Sequence, residues 1–202
     1  MENEKVLNRT IGDFSKKADI IQTIILALVA FLVPTFLAQL IKEIFGVQSI
    51  VTSNSQLIVG SIVNTALIIS AINVKGWKKI AAIVTMPSVS TIMSGYIFKT
   101  ASVFMVYMIP AIWLGNFALI YAFKALMIGK NKNYFLSGIV GIVAKVAIIF
   151  GCFSILGAFG VFPEKVANTL RIAMSSTQAI TATIGMVIAF VIYQVEKRNI
   201  KE

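Results

Sequence analysis

Six apolar runs, at roughly 20–44, 57–74, 80–98, 102–123, 134–162 and 166–195, take up most of this 202-residue chain. At ~1.5 Å per residue each is long enough, as a helix, to cross a hydrocarbon layer of ~30 Å. A chain in lipid has to satisfy its backbone hydrogen bonds internally, and these runs are far too long for barrel strands. The expected fold is therefore all-α: an integral membrane bundle of six transmembrane helices forming one domain over 1–202. With 58% hydrophobic residues, little sequence is left over for a soluble domain.

The cations fix an expected orientation. Of the 18 Lys and Arg, thirteen fall in the N-terminal segment (Lys5, Arg9, Lys16, Lys17), the second loop (Lys75, Lys78, Lys79), the fourth loop (Lys124, Lys130, Lys132) and the tail (Lys197, Arg198, Lys201). The other loops hold four: Lys42, Lys99, Lys165 and Arg171. The positive-inside rule then puts both termini in the cytoplasm of a multi-pass protein of the cell membrane. A net charge of +10 beside membrane-crossing segments reads as topology signal and attraction to anionic lipid headgroups, not as nucleic-acid binding. Ahead of the first run, Leu7, Ile11, Phe14, Ala18 and Ile21 recur at spacings of four and three. That stripe suits a short helix lying on the cytoplasmic membrane surface, or else a solvated terminus. A charged leader before an apolar run of this length is not expected to be a cleaved signal peptide.

What is missing narrows the chemistry. There is no His and a single Cys, Cys152, so disulfides within the chain and histidine-held haem are excluded. Only eight carboxylates occur, and the one within a predicted run, Glu43, stands at the outer edge of the first, so neither a metal site nor any other cofactor is expected. A membrane hydrolase would need a base or an H-E-x-x-H zinc site, and a proton pump would need a buried acidic or histidine relay. The chain also lacks a nucleotide-binding loop. These features point away from an enzyme and toward a protein that binds a solute and draws energy from a partner.

Polar side chains inside apolar runs mark the candidate site, because they reach water only at a cost. In the sixth run Asn168, Arg171, Ser175 and Gln178 recur at spacings of three, four and three, one helical face descending from the outer surface. Such a face is either interhelical glue or the wall of a solute pocket. The fourth run adds Tyr107, Trp113 and Asn116; Trp113 lies too deep for an interfacial belt and, with Asn116, offers a stacking surface beside a hydrogen-bonding group. In the third run Pro87 should kink the helix, its serines favour close packing, and Tyr96 and Lys99 stand near the outer mouth. Lys145 lies near the middle of the fifth run with no carboxylate at its depth. A bare ammonium there costs ~3 kcal/mol or more, so it either meets carbonyls and polar groups, sheds its proton, or binds an anion. The polar outer loop from Glu43 to Gln56 is a candidate lid or a plain connection. Asn64-Thr65-Ala66-Leu67-Ile68 and Asn116-Phe117-Ala118-Leu119-Ile120 match at four of five positions, 52 residues apart, a faint internal repeat.

Six helices in about 200 residues, a long polar first outer loop and the segment Ile109-Pro110-Ala111-Ile112-Trp113-Leu114-Gly115-Asn116 together resemble the substrate-binding S component of an energy-coupling factor transporter. The resemblance covers the whole chain in layout. It implies capture of a small organic solute from outside by the outer loops and the outer halves of the fourth to sixth spans. It also implies two ATPase subunits and a transmembrane scaffold subunit that docks on small residues of the first span. Here that face offers Ala27, Ala30, Pro34 and Ala38. Members that carry nickel or cobalt use an N-terminal His, which this chain lacks, so a vitamin-like solute is implied. A self-contained small transporter or channel, and a non-transporting assembly subunit of a membrane complex, are the competing readings.

Overall fold

The computed structural model describes residues 2–12, 14–46, 48–50, 54–94 and 99–199. Among them the chain is mainly helical and contains no strand. A short α1 (Glu2–Leu7) precedes α2 (Lys16–Phe45), α3 (Ser55–Asn73) and α4 (Trp77–Ser94). A 3-10 segment, Lys99–Phe104, then leads into α5 (Met105–Ile128), α6 (Tyr134–Ala158), α7 (Glu164–Met174) and α8 (Ser176–Asn199).

Five stretches are long and apolar enough to cross a membrane: α2, α3, α5, α6 and the α7–α8 stretch Glu164–Arg198. That agrees with a multi-pass membrane protein, with five such stretches among the described residues against the six expected. The third predicted run corresponds to α4, whose hydropathy is lowered by Lys78, Lys79 and its Ser and Thr residues, while 95–98 lie outside the described residues. The sixth run is not one uninterrupted helix. At Ser175 the backbone (φ −113°, ψ −97°) leaves the helical region and separates α7 from α8.

Local chemistry sets the ends. Ser15 Oγ accepts the Ala18 N–H at the start of α2, and Asn133 Oδ1 accepts the N–H groups of Phe135 and Leu136 at the start of α6. Pro34 cannot donate a backbone hydrogen bond, and α2 widens into a π turn over Val33–Leu37. The Phe31 carbonyl there accepts from Ser90 Oγ of α4, which also bonds the Thr35 hydroxyl. A neighbouring helix thus supplies the partner that irregular backbone needs at membrane depth.

α3 is the axis of the bundle: thirteen of its nineteen residues are buried, and α2, α4, α5 and α8 pack around it. Two helix pairs approach closely because they meet at glycine. On α3–α8, a Cβ on Gly60 would lie 2.9 Å from Thr181 Cγ2, and one on Gly185 would lie 2.7 Å from Asn64 Cβ. On α5–α6, Gly115 faces Ile149 and Gly141 faces Leu119 in the same manner. The outer faces of α2, α6 and α8 are apolar and exposed, with Ile24, Leu28, Phe36, Val143 and Val191 among them, as lipid-facing helices require.

One end of the bundle is tied together by the N-terminal segment. Gly76, at φ +92°, turns the chain between α3 and α4 and donates its N–H to Leu7 O at 3.1 Å. Ile11 N–H bonds Ile72 O at 3.1 Å, and Arg9 Nη1 bonds Gly129 O at 3.1 Å. Residues 8–12, 14 and 15 are not helical and Leu7 is buried, so the expected amphipathic stripe does not form one surface helix; it folds across the helix ends.

One charge at this end differs from its expected setting, and a second forms a buried pair. Lys124, counted from sequence as a loop cation, is fully buried in a π-helical turn and donates to Arg9 O (2.6 Å) and Val74 O (2.9 Å). Asp19 is buried in the first turn of α2, where it pairs with Lys79 Nζ and accepts the Lys75 N–H at 3.1 Å. Thr10, Ile11, Asn131, Tyr193 and Lys197 border one shallow hollow here. The basic clusters of the N-terminal segment, the 75–79 and 124–132 regions and the end of α8 therefore gather at the same end. The charge asymmetry read from sequence has a structural counterpart.

Candidate functional site

At the opposite half of the bundle a cleft of about 600 Å³, its open mouth included, lies between α2, α3, α4, α5, α6 and α8. Its apolar wall is formed by Pro34, Val59, Val63, Pro87, Met105 and Ile112. Its polar groups are Gln56, Asn64, Ser88, Thr91, Asn116, Lys145, Thr177, Gln178 and Thr181. The lining comes from the far halves of α2 and α4 and the near turns of α3, α5 and α8, so the cleft faces away from the end that gathers the basic clusters.

Lys145 is the centre of its chemistry. The residue is 2% exposed, and its Nζ donates to Asn64 Oδ1 at 2.6 Å. Asn64 Nδ2 in turn donates to Gly60 O (2.8 Å) and Thr181 Oγ1 (3.1 Å), and Thr181 Oγ1 donates to Thr177 O (2.8 Å). The amide is oriented by this relay: with both its donors committed to α3 and α8, its carbonyl oxygen is left for the ammonium. Gly60 and Thr181 stand one turn from Asn64 and Gly185, so the glycine contacts that bring α3 onto α8 also set the length of the Asn64–Thr181 bond. No carboxylate lies among the described residues lining the cleft. Ser88 Oγ, buried in the same wall, has no partner among the described residues.

The residues expected from sequence divide into two groups. Lys145, Asn116 and Gln178 line the cleft. Ser175 sits at the α7–α8 break with its hydroxyl on Arg171 O at 2.6 Å. Asn168 and Arg171 are exposed on α7, outside the cleft: the break at Ser175 interrupts the helical register that was expected to align them with Gln178. Tyr107 is exposed on α5. Trp113 packs against the main core instead of lining the cleft, and its indole N–H is buried without a partner among the described residues. Met105, Ile112 and Asn116 form the α5 stripe that faces the cleft, and Trp113 falls beside that stripe. Tyr96 lies outside the described residues, and Lys99 begins the 3-10 segment before α5.

The small-residue face of α2 is used inside the chain. Ala30 and Ala38 are buried, Pro34 lines the cleft and Ala27 is half-buried against the core, so a docking partner would not meet this face open. Of the 43–56 connection expected as a lid or plain loop, 43–45 end α2 and 55–56 begin α3, while residues 47 and 51–53 lie outside the described ones.

Sequence reasoning did not single out Thr181, Ser88 or Gln56, and it took Asn64 only as part of a repeat. A signal was present for the first of these: Gly60/Asn64 and Thr181/Gly185 are both spaced by four, the small-polar pattern of closely crossing membrane helices. Comparison of the chain with known protein families, with curated proteins and with solved structures finds no match.

Proposed function

We propose that this chain is the solute-binding subunit of a membrane uptake system, taking a small organic, vitamin-like molecule from outside the cell for import driven by partner ATPases. The observation that carries the reading is the cleft: a buried lysine with an oriented amide and several hydroxyls, set between six helices with an apolar wall. Its lining, apolar with a few placed polar groups, is of the kind that holds small organic ligands. With the basic end in the cytoplasm, as the positive-inside rule directs, both termini are cytoplasmic and the cleft opens to the exterior of the cell membrane. The subunit binds and carries; catalysis and energy supply belong to a transmembrane scaffold and two ATPase subunits, as in the S components that the chain resembles.

Thermal unfolding of the detergent-purified chain against vitamins, nucleobases and small carboxylates tests the reading. A ligand at about 100 times its Kd adds about 2.7 kcal/mol, a rise of several degrees. No rise across the panel refutes solute binding. Uptake of the ligand by proteoliposomes holding this chain alone would identify a self-contained transporter instead.

A further inference from the structure

We propose that the cleft selects organic monoanions, with Lys145 as the counter-charge to a carboxylate-type group and Asn64 as the positioning residue that aims the ammonium. This inference rests on the solute-binding reading and adds the chemical class of the solute.

Three observations converge on it. First, among the described residues lining the cleft Lys145 carries the one cationic side chain, and none carries a negative charge. A buried ammonium that lacks a charged partner is costly, and an entering anion supplies that partner. Second, Asn64 satisfies one of the three ammonium donors and is itself fixed from behind by Gly60 O and Thr181 Oγ1. The structure thus orients the lysine without neutralising it. Third, the buried Ser88 hydroxyl in the same wall has a hydrogen to donate and no partner among the described residues. The balance of one lysine against an otherwise neutral, partly apolar lining favours a single negative charge on an apolar or aromatic body. A dianionic phosphate would leave a charge uncompensated at this depth. The exposed Arg171, outside the cleft, has no part in this contact.

The test uses the full chain purified in detergent and matched pairs of probes that differ only in charge: benzoate with benzamide, nicotinate with nicotinamide, and propionate with propionamide. Binding is read by ligand-dependent thermal unfolding and by equilibrium dialysis. The expected result is that the acid of at least one pair binds about tenfold or more tightly than its amide, since hydrogen bonds to charged groups are the stronger class. In Lys145→Gln the preference should fall to within about twofold, with the acid losing more affinity than its amide, as removal of a charge-assisted bond predicts. Asn64→Asp serves as the second variant, because it places a carboxylate where the amide oxygen now meets the ammonium and should abolish the acid preference with the lysine still present. Amides that bind as tightly as their acids overturn the monoanion proposal and leave solute binding standing. So does an acid preference that survives in either variant. If no member of any pair binds, charged or neutral, both the proposal and the solute-binding reading are overturned.

Discussion

Gly185→Ala is the substitution whose cost can be worked most directly from the structure. The added Cβ would sit 2.7 Å from Asn64 Cβ and 2.9 Å from both Ser61 O and Thr65 N. Carbon atoms rest at about 3.5–4.0 Å, so the new methyl falls short by about 0.8 Å or more. Two of its three neighbours are α3 backbone, which has no rotamer to change, so α8 has to move away from α3. Overpacking of this kind costs about 1–3 kcal/mol. The movement also lengthens the Asn64–Thr181 bond (3.1 Å) and the Thr65 Oγ1–Gly185 O bond (3.3 Å). Alanine's helix preference returns about 0.5–1 kcal/mol, leaving a net loss of up to about 2.5 kcal/mol. At about 2–4 °C per kcal/mol for a chain of this size, the unfolding midpoint in detergent should drop by up to about 10 °C. Gly151→Ala is the control: it is also a helical glycine, on α6, but a Cβ there meets nothing within 4 Å. It should hold or raise the midpoint. A Gly185→Ala midpoint at or above wild type, with Gly151→Ala behaving as expected, would show that the α3–α8 contact is not the tight one described.

Two further outcomes follow from the tied end of the bundle. Lys124→Met removes the donor shared by Arg9 O and Val74 O and should cost about 1–3 kcal/mol, chiefly for the buried Val74 carbonyl left unpaired. Limited trypsin digestion should then cut at Lys16 or Lys17 sooner than in wild type, and an unchanged cleavage rate would refute the tie. Asp19→Ala leaves the Lys79 ammonium and the Lys75 N–H without their carboxylate, for a loss of about 1–3 kcal/mol given that Lys79 is about a third exposed. Asp19→Asn keeps an acceptor for the Lys75 N–H and should unfold between the two in a thermal scan; equal midpoints for Asn and Ala would place the whole effect in the ion pair.

The helices of this protein were legible because lipid leaves a backbone little choice: runs of about twenty apolar residues read directly as helices. Lys145 was legible for the same reason, as a charge at a depth where charge needs an explanation. The site around it was less so. Trp113 and Arg171 drew attention by residue type, yet whether a side chain faces a cleft depends on helix rotation. One irregular residue, Ser175, was enough to break the face that joined Arg171 to Gln178. Lys124 looked like a loop cation because it borders a Gly- and Lys-rich turn. Its burial depends on carbonyls from Arg9 and Val74, far away in sequence.

The sequence by itself determined the solvent of this chain, its helical class and the clustering of cations beside alternate helix ends. All three follow from composition and spacing along the chain. The tertiary structure decided that α3 is the buried axis, that glycine contacts draw α8 onto it, and that Asn64 and Thr181 thereby meet and aim Lys145 into a cleft. Those results depend on which faces of distant helices touch. A lipid-soluble sequence says little about that, because any apolar face satisfies lipid equally well.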